Sequence, residues 1–400
     1  MSGLRAQRLA ARRAARRRAV GRGVLVAVAS VVVAVGTATG MLAALGGRDG
    51  SDEVRPASAG DSPGRVGVRV LPSGLGAPSA PASLSASAEV SGSPSSSPKA
   101  RKPSPDKPRP TAAGRLYRHP SSQVLDWVQD NPRDWRADVI RSRIADRPAA
   151  VWFADYTPAT ITSRVRAVTA RAAAQGRVPV VVAYAVPDRD CGGASQGGAP
   201  DLGAYDAWID RFAAGLGSRE VMVVLEPDAI AQSDCLPEAG RADRFASLAR
   251  AGRVLKAANP KARVYYDAGH SGWNPAGQQA ALLKRAGAAS AASSDGIFSN
   301  VSNFHSTSAE IAYDRQVLAA LGGPPGLGAV IDTSRNGNGA PPDGEWCDPA
   351  GRRIGRAPTL DTGEARIDAY LWVKLPGESD GCKGAPGTFS ASYAYDLASP

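Results

Sequence analysis

Two short runs place acidic residues directly after strongly β-branched segments: Val182-Ala-Tyr-Ala-Val-Pro-Asp-Arg-Asp-Cys191 and Val223-Val-Leu-Glu-Pro-Asp228. In a parallel α/β barrel the reacting groups stand just past the carboxyl ends of the strands. Two carboxylates brought from different strands to one mouth are the minimum equipment for cleaving a glycosidic bond, one donating a proton to the leaving oxygen and the other assisting water. Asp190 and Asp228 are therefore the first candidates for chemistry.

Seven β-branched apolar stretches are available to position such groups: Ala149 to Ala154, Val178 to Val186, Val221 to Leu225, Arg263 to Tyr266, Gly296 to Asn300, Gly328 to Ile331 and Ala369 to Val373. Amphipathic, Ala- and Arg-rich segments separate them, among them Ile161 to Gln175, Tyr205 to Leu216, Arg241 to Ala258 and Ala309 to Leu321. Alternation of strand and helix predicts a parallel sheet with crossover helices. The fold class expected is α/β, a distorted barrel of about seven parallel strands. A doubly wound open sheet is the competitor, but the first strand-to-helix turn lacks the Gly-x-Gly-x-x-Gly phosphate fingerprint.

The strand exits present Asp155, Asp190, Asp228, Asp267, Asn303, Asp332 and then Lys374, Glu378 and Asp380. A single strand-exit Asp is more often a helix cap than a catalyst. Here the capping explanation has to be repeated many times. It also fails where a loop follows, as at Cys191 to Pro200 and Gly269 to Pro275.

Composition divides the chain near residue 115. Residues 1–114 hold 17 Lys or Arg and 6 Asp or Glu, whereas residues 115–400 hold 31 of each, so the net charge of +11 belongs to the N-terminal part. The globular part is formally neutral, which gives no footprint for nucleic acid. Residues 1–23 are Arg-rich, and Val24 to Leu45 carries no charge. A run of roughly 20 apolar residues is long enough to span a bilayer, and arginines before it stay cytoplasmic. An uncleaved signal anchor is favoured, with a secretory signal peptide left open by Gly36 to Gly40. Either route puts the globular part outside the cytoplasm. Residues 46–114, rich in Ser, Pro, Ala and Gly, read as a disordered tether. Cys191, Cys235, Cys347 and Cys382 all lie in residues 115–400, an even number consistent with two disulfides in an oxidising compartment. Their spacing, with only three histidines, does not indicate a zinc site, and no metal or cofactor is expected.

At these residues the chain resembles glycoside hydrolase family 6, the cellulases that include endo-β-1,4-glucanases and cellobiohydrolases. The resemblance covers residues 117–400. It rests on Tyr184-Ala-Val-Pro-Asp-Arg-Asp-Cys191, Leu225-Glu-Pro-Asp228, Tyr266-Asp-Ala-Gly-His-Ser-Gly-Trp273, Asn300-Val-Ser-Asn303, Ile331-Asp-Thr-Ser-Arg-Asn-Gly337, Glu345-Trp-Cys347 and Leu371-Trp-Val-Lys-Leu-Pro-Gly-Glu-Ser-Asp-Gly381. It implies an inverting mechanism with Asp228 as general acid, Asp190 raising the pKa of Asp228 and managing water, and Asp380 as base. Tyr184 matches the tyrosine that crowds the sugar ring at the scissile position. Trp273 and Trp346 match stacking tryptophans, and Asp267, His270, Asn303, Lys374 and Glu378 match groups that bind sugar hydroxyls. Arg335 is expected to orient a nearby carboxylate, while Trp152 and Trp372, inside strands, are expected in the core. One position departs from the pattern: where the family has a loop serine six residues after Asp190, this chain has Gln196, preceded by Ser195.

Cellobiohydrolases of this family roof the cleft with long loops, whereas the segments from Cys191 to Cys235 and from Cys347 to Cys382 are short here. The resemblance thus implies an open groove, endo-cleavage, and disulfides Cys191–Cys235 and Cys347–Cys382. The expected partner is a β-1,4-glucan, met by a monomer held at the membrane through its N-terminal segment. A cellobiohydrolase of the same family, or a membrane-tethered glucan-binding protein without activity, is the alternative.

Overall fold

In the computed structural model, residues 115–399 are described. The Arg-rich segment, the apolar run and the Ser/Pro tract expected at 1–114 lie outside the described residues. Within 115–399 all seven expected strands form: β1 (Val151–Phe153), β2 (Val180–Ala183), β3 (Val221–Leu225), β4 (Ala262–Asp267), β5 (Gly296–Ser299), β6 (Gly328–Asp332) and β7 (Ile367–Leu371). They make one parallel sheet in sequence order, β1 to β7. The registers are regular, with β3 and β4 pairing from Val221 opposite Ala262 to Leu225 opposite Tyr266. β6 and β7 slip once, between Ala329 and Val330.

Strand geometry sends alternate side chains to opposite faces. Val180, Val182, Met222, Val224, Tyr265, Phe298, Val330, Ala369 and Leu371 gather in one buried cluster inside the curl. Their neighbours Val181, Val223, Val264, Ile297 and Ala329 join a second cluster with the helices outside. The β-branched runs thus serve two cores at once, which is why they read as continuous apolar stretches and not as alternating ones.

The outer layer consists of α3 (Ile161–Ala174), α4 (Leu202–Ala213), α5 (Glu238–Ala258), α6 (Ala276–Arg285) and α7 (Thr307–Leu321). Asp201 caps α4 by accepting the Ala204 amide at 2.7 Å, so that helix begins three residues before the expected Tyr205. A third cluster joins α1 (Gln123–Asp130), α2 (Ala137–Ile140) and α8 (Ala391–Ala398) around Trp372, the core residue expected there.

The barrel does not close by a ladder. Among the described residues the seam between the outer strands carries the Ala150 amide donated to the Trp372 carbonyl at 2.9 Å and the Trp152 indole donated to the Val373 carbonyl at 2.7 Å. The expected distorted barrel is a curled half-barrel whose last and first strands meet through these bonds and the third helical cluster.

Phe212 is fully buried, with its ring edge-on to Phe153 at 5.4 Å and tilted against Trp208 at 5.3 Å. Removing such a ring loses both transfer energy and packing. Phe212→Ala is expected to lower unfolding free energy by about 3–5 kcal/mol, read from urea transitions.

Candidate active site

The exits of β2, β3 and β4 carry the first group of candidates. The backbone turns sharply there: Asp188, Asp190 and Cys191 have φ of 50°, 54° and 48°, and Glu226 and Asp228 have 51° and 69°. Left-handed conformations at non-glycine residues persist only where surrounding contacts enforce them. Those contacts are numerous. Arg244 of α5 donates to the Pro187 carbonyl at 2.6 Å. Arg189 donates to the carbonyls of Ala154, Tyr184 and Ser195. The Ser195 amide donates to the Asp190 carboxylate at 2.8 Å, and a disulfide ties Cys191 to Cys235. Gly198 closes the loop at φ 104°, with the Val186 carbonyl where a Cβ would stand, so no other residue fits.

Glu226 is buried and accepts the amides of Ala185 and Val186 at 2.9–3.0 Å, clamping the β2 exit to the β3 exit. Asp267, 1% exposed, accepts Ile230 and Ala231 at 3.1 and 2.8 Å and Gly269 at 2.9 Å. The Asp228 amide also bonds to it. Asp267 was expected to bind sugar hydroxyls; with its oxygens spent on amides and no open face, it instead supports the loop that carries Asp228.

Asp228 is partly buried at the mouth. Burial first, then the negative charges of Asp267 and Asp190, push its carboxyl well above the usual range. The like-charge effect expected from Asp190 is present, but third in size. A carboxyl kept protonated in this way is suited to donate a proton. Tyr184 stands beside both carboxylates; burial and these charges raise its hydroxyl, which bonds to Ser195. Arg189 lies over its ring at 4.5 Å. Ser195, not the exposed Gln196, therefore faces this group.

The second group lies past β6 and β7. Arg335 is fully buried and donates to Asp380 at 2.7 Å, to the Tyr393 hydroxyl at 3.1 Å and to the Ser302 carbonyl at 2.5 Å. The orienting role expected of Arg335 falls on Asp380. Lys374 adds a second cation 3.2 Å from the other Asp380 oxygen. Asp380 is thus bracketed by two cations and nearly buried, 9% exposed. Glu378 accepts from Gln123 at 3.0 Å, and burial pushes it up to about 7.

Along the rest of the mouth, His270 stacks on His305 at 4.3 Å and lies 5.2 Å from Trp273. Asn303 donates to the Val301 carbonyl at 3.0 Å in a turn where Asn300 and Ser302 also have positive φ. Trp346 is 57% exposed, in the segment ending at the Cys347–Cys382 disulfide. Both disulfides pair as the resemblance implies.

Three residues were not read from the sequence as part of the site. Trp152, expected in the core, is half-buried, bonds to Val373 and stands edge-on to Tyr184 at 5.3 Å, so it joins the β7 and β2 exits. The signal for it was its place in the shortest strand, at the edge of the sheet. His305, one of the three histidines, lies two residues past the Asn303 turn in no motif that marks it for the site. Asp348 accepts the Asp380 amide at 2.7 Å, the Ser379 hydroxyl at 2.6 Å and the amides of Cys382 and Lys383 at 3.0 and 2.9 Å. Burial pushes its carboxyl up, yet these bonds prevail and hold it below the usual range.

A curled parallel sheet thus carries a raised, partly buried carboxyl, Asp228, on one wall of its mouth and an ion-paired acidic group, Asp380, on the other. Residues 110–397 match the family model for glycosyl hydrolases family 6. Endoglucanase 1 of Streptomyces sp. (strain KSM-9) is 53% identical over 284 residues, 71% of this chain and 77% of that protein. Endoglucanase A of Thermobispora bispora is 50% identical over 284 residues, covering 71% of this chain but 61% of its own length. The endoglucanase Cel6 from Mycobacterium tuberculosis, solved with methyl-cellobiosyl-4-deoxy-4-thio-beta-D-cellobioside, matches with a TM-score of 0.66 and 39% identity over 72% of this chain and 97% of that one. The chain belongs to glycosyl hydrolases family 6 and is a glycoside hydrolase of the cellulase class.

Two outcomes follow from the geometry. Glu226 and Glu378 both have pKa values raised from 4.5 to about 7, burial being the largest cause. Each binds its proton more tightly folded than unfolded, so its contribution is complete below about 4.5 and is lost as pH rises through about 7. Urea stability at constant salt should therefore fall by on the order of a few kcal/mol from pH 5 to 8. Asp348→Ala, which frees the segment holding Asp380, should lower kcat on a soluble β-glucan by about a hundredfold, with the Cys347–Cys382 bond still formed by thiol titration.

Proposed function

We propose that this enzyme is an inverting endo-β-1,4-glucanase. Asp228 gives its proton to the glycosidic oxygen as the C1–O4 bond breaks. Water adds to C1 from the opposite face and passes its proton to Asp380. Asp190, bonded to the Ser195 amide, manages water near the reacting centre, and Tyr184 crowds the sugar ring toward a flattened shape. The observation that carries this reading is the contrast between the two carboxyls. Asp228 is raised by burial and like charges, whereas Asp380 sits between Arg335 and Lys374. That is the division of labour between acid and base which inversion requires.

Endo-cleavage is supported by the names of the bacterial relatives and by the sequence separations of 44 and 35 within the two disulfides, which leave no long insertion to roof the groove. We also propose that the domain works outside the cytoplasm, delivered through residues 1–45; the two disulfides fit an oxidising compartment.

The test is incubation with carboxymethylcellulose and a cello-oligosaccharide, following viscosity and the first anomer released. A rapid viscosity drop and initial α-anomer are expected. Initial β-anomer would refute inversion, and sugar release without viscosity loss would refute the endo mode. Asp228→Ala should lower kcat on cello-oligosaccharides by about 10²–10⁴ and much less on aryl glycosides with good leaving groups. Equal losses on both would assign Asp228 a structural role.

A further inference from the structure

Only two large apolar side chains are exposed among the described residues, Trp346 at 57% and Trp135 at 72%. Trp346 belongs to the mouth. Trp135, between α1 and α2, has no such explanation, and it is not loosely held. The Tyr395 ring meets it edge-on at 4.5 Å. The Arg136 guanidinium lies 5.9 Å from its ring centre and 5.4 Å from that of Trp127. Arg136 is itself clamped by Asp134 through two parallel bonds of 2.9 and 2.7 Å.

Contacts lead from this ring to the active site. Trp127 faces Phe389 at 6.0 Å. The Phe389 amide donates to the Gln123 side chain at 3.0 Å, and Gln123 donates to Glu378 at 3.0 Å. Glu378 is one of the groups past β7 that also carry Lys374 and Asp380. Gln123 and Trp127 are one turn apart on α1, so they share a face.

We propose that the glucan groove continues past Glu378 along this aromatic track and ends at Trp135, giving a distal binding site for a β-1,4-glucan chain. This rests on the reading of the enzyme as a β-glucanase. The chemistry on the track suits that one occupant. A pyranose ring offers flat C–H faces to aromatic rings and hydroxyls around its edge, and here fixed rings alternate with the paired planar groups of Arg136 and Asp134, whose remaining hydrogens and lone pairs suit hydroxyls, while Gln123, donating to Glu378 and the Gly387 carbonyl, fixes the start of the track. Rings held before binding lose little freedom when a sugar stacks on them. The surrounding charges are mixed in sign, with Asp126, Asp130 and Arg133 exposed, which suits a neutral polymer better than an anionic bilayer. A file of rings broken by an ion pair is also narrow for a protein interface, which needs about 800 Å² per partner.

The test uses the full chain with Trp135→Ala and Trp135→Phe, assayed on hydroxyethylcellulose and on cellotetraose. The Ala variant is expected to raise KM on the polymer about three- to tenfold and to lower the polymer-to-tetraose ratio of kcat/KM, with Phe restoring most of it. The same pair in an Asp228→Ala background, run on native gels containing hydroxyethylcellulose, should show retardation weakened by Ala and kept by Phe. An unchanged ratio together with unchanged retardation overturns the track. So does sedimentation in which the unaltered chain is a dimer that Trp135→Ala dissolves, which would assign the patch to a second copy. If the unaltered chain hydrolyses neither substrate, the proposed activity fails, and the gel still decides whether the track binds glucan.

Discussion

Buried acidic side chains that accept backbone amides from neighbouring loops hold the working end of this sheet together. Glu226 grips the β2 exit, Asp267 the β3 exit, Asp332 the amides of Ser302, Ser334, Val373 and Lys374, and Asp348 the segment carrying Asp380. Each joins stretches of chain that no ladder could join, because the strands have ended. Burying a carboxyl is costly, and two to four amide bonds apiece offset that cost. An apolar side chain in the same place would leave those amides unpaired, at about 1–3 kcal/mol each. The positive φ values at Asp190 and Asp228 are tolerable because these clasps leave the loops no alternative.

The clasps also set the electrostatics. On the wall formed by β2, β3 and β4, Arg189 and Arg244 are spent on backbone carbonyls, and burial with the charges of Asp267 and Asp190 pushes Asp228 toward its protonated form. On the wall formed by β6 and β7, Arg335 and Lys374 bracket Asp380. Trp152 joins the two by bonding to Val373 and standing against Tyr184. The acidic group of one wall is pushed toward its protonated form and that of the other is ion-paired, because the two walls of one curled sheet bring different charges to the mouth.

Much of the fold was legible in the linear chain, since all seven strands stand where β-branched runs predict them and the helices between them follow the amphipathic pattern. Strand exits rich in Asp marked the site for the same reason: carboxylates have no need to recur at buried turns unless something uses them. Individual duties were less legible. Asp267 and Asp228 look alike in sequence, yet one is consumed by amides and the other reaches the cleft. Trp152 reads as core because it lies in a strand, but that strand lines the open seam. Asp348 follows a cysteine in a Gly- and Pro-rich segment, and nothing local marks it as the support of a residue 32 positions later.

The sequence by itself determined the parallel alternation of strand and helix, the family, and the acidic residues brought to the strand ends, because periodicity and local motifs act over a few residues. Only the tertiary structure decided which carboxyl is raised, which is ion-paired and which is a clasp. Those properties depend on burial and on charges delivered by other strands, and such neighbours are set when the sheet curls.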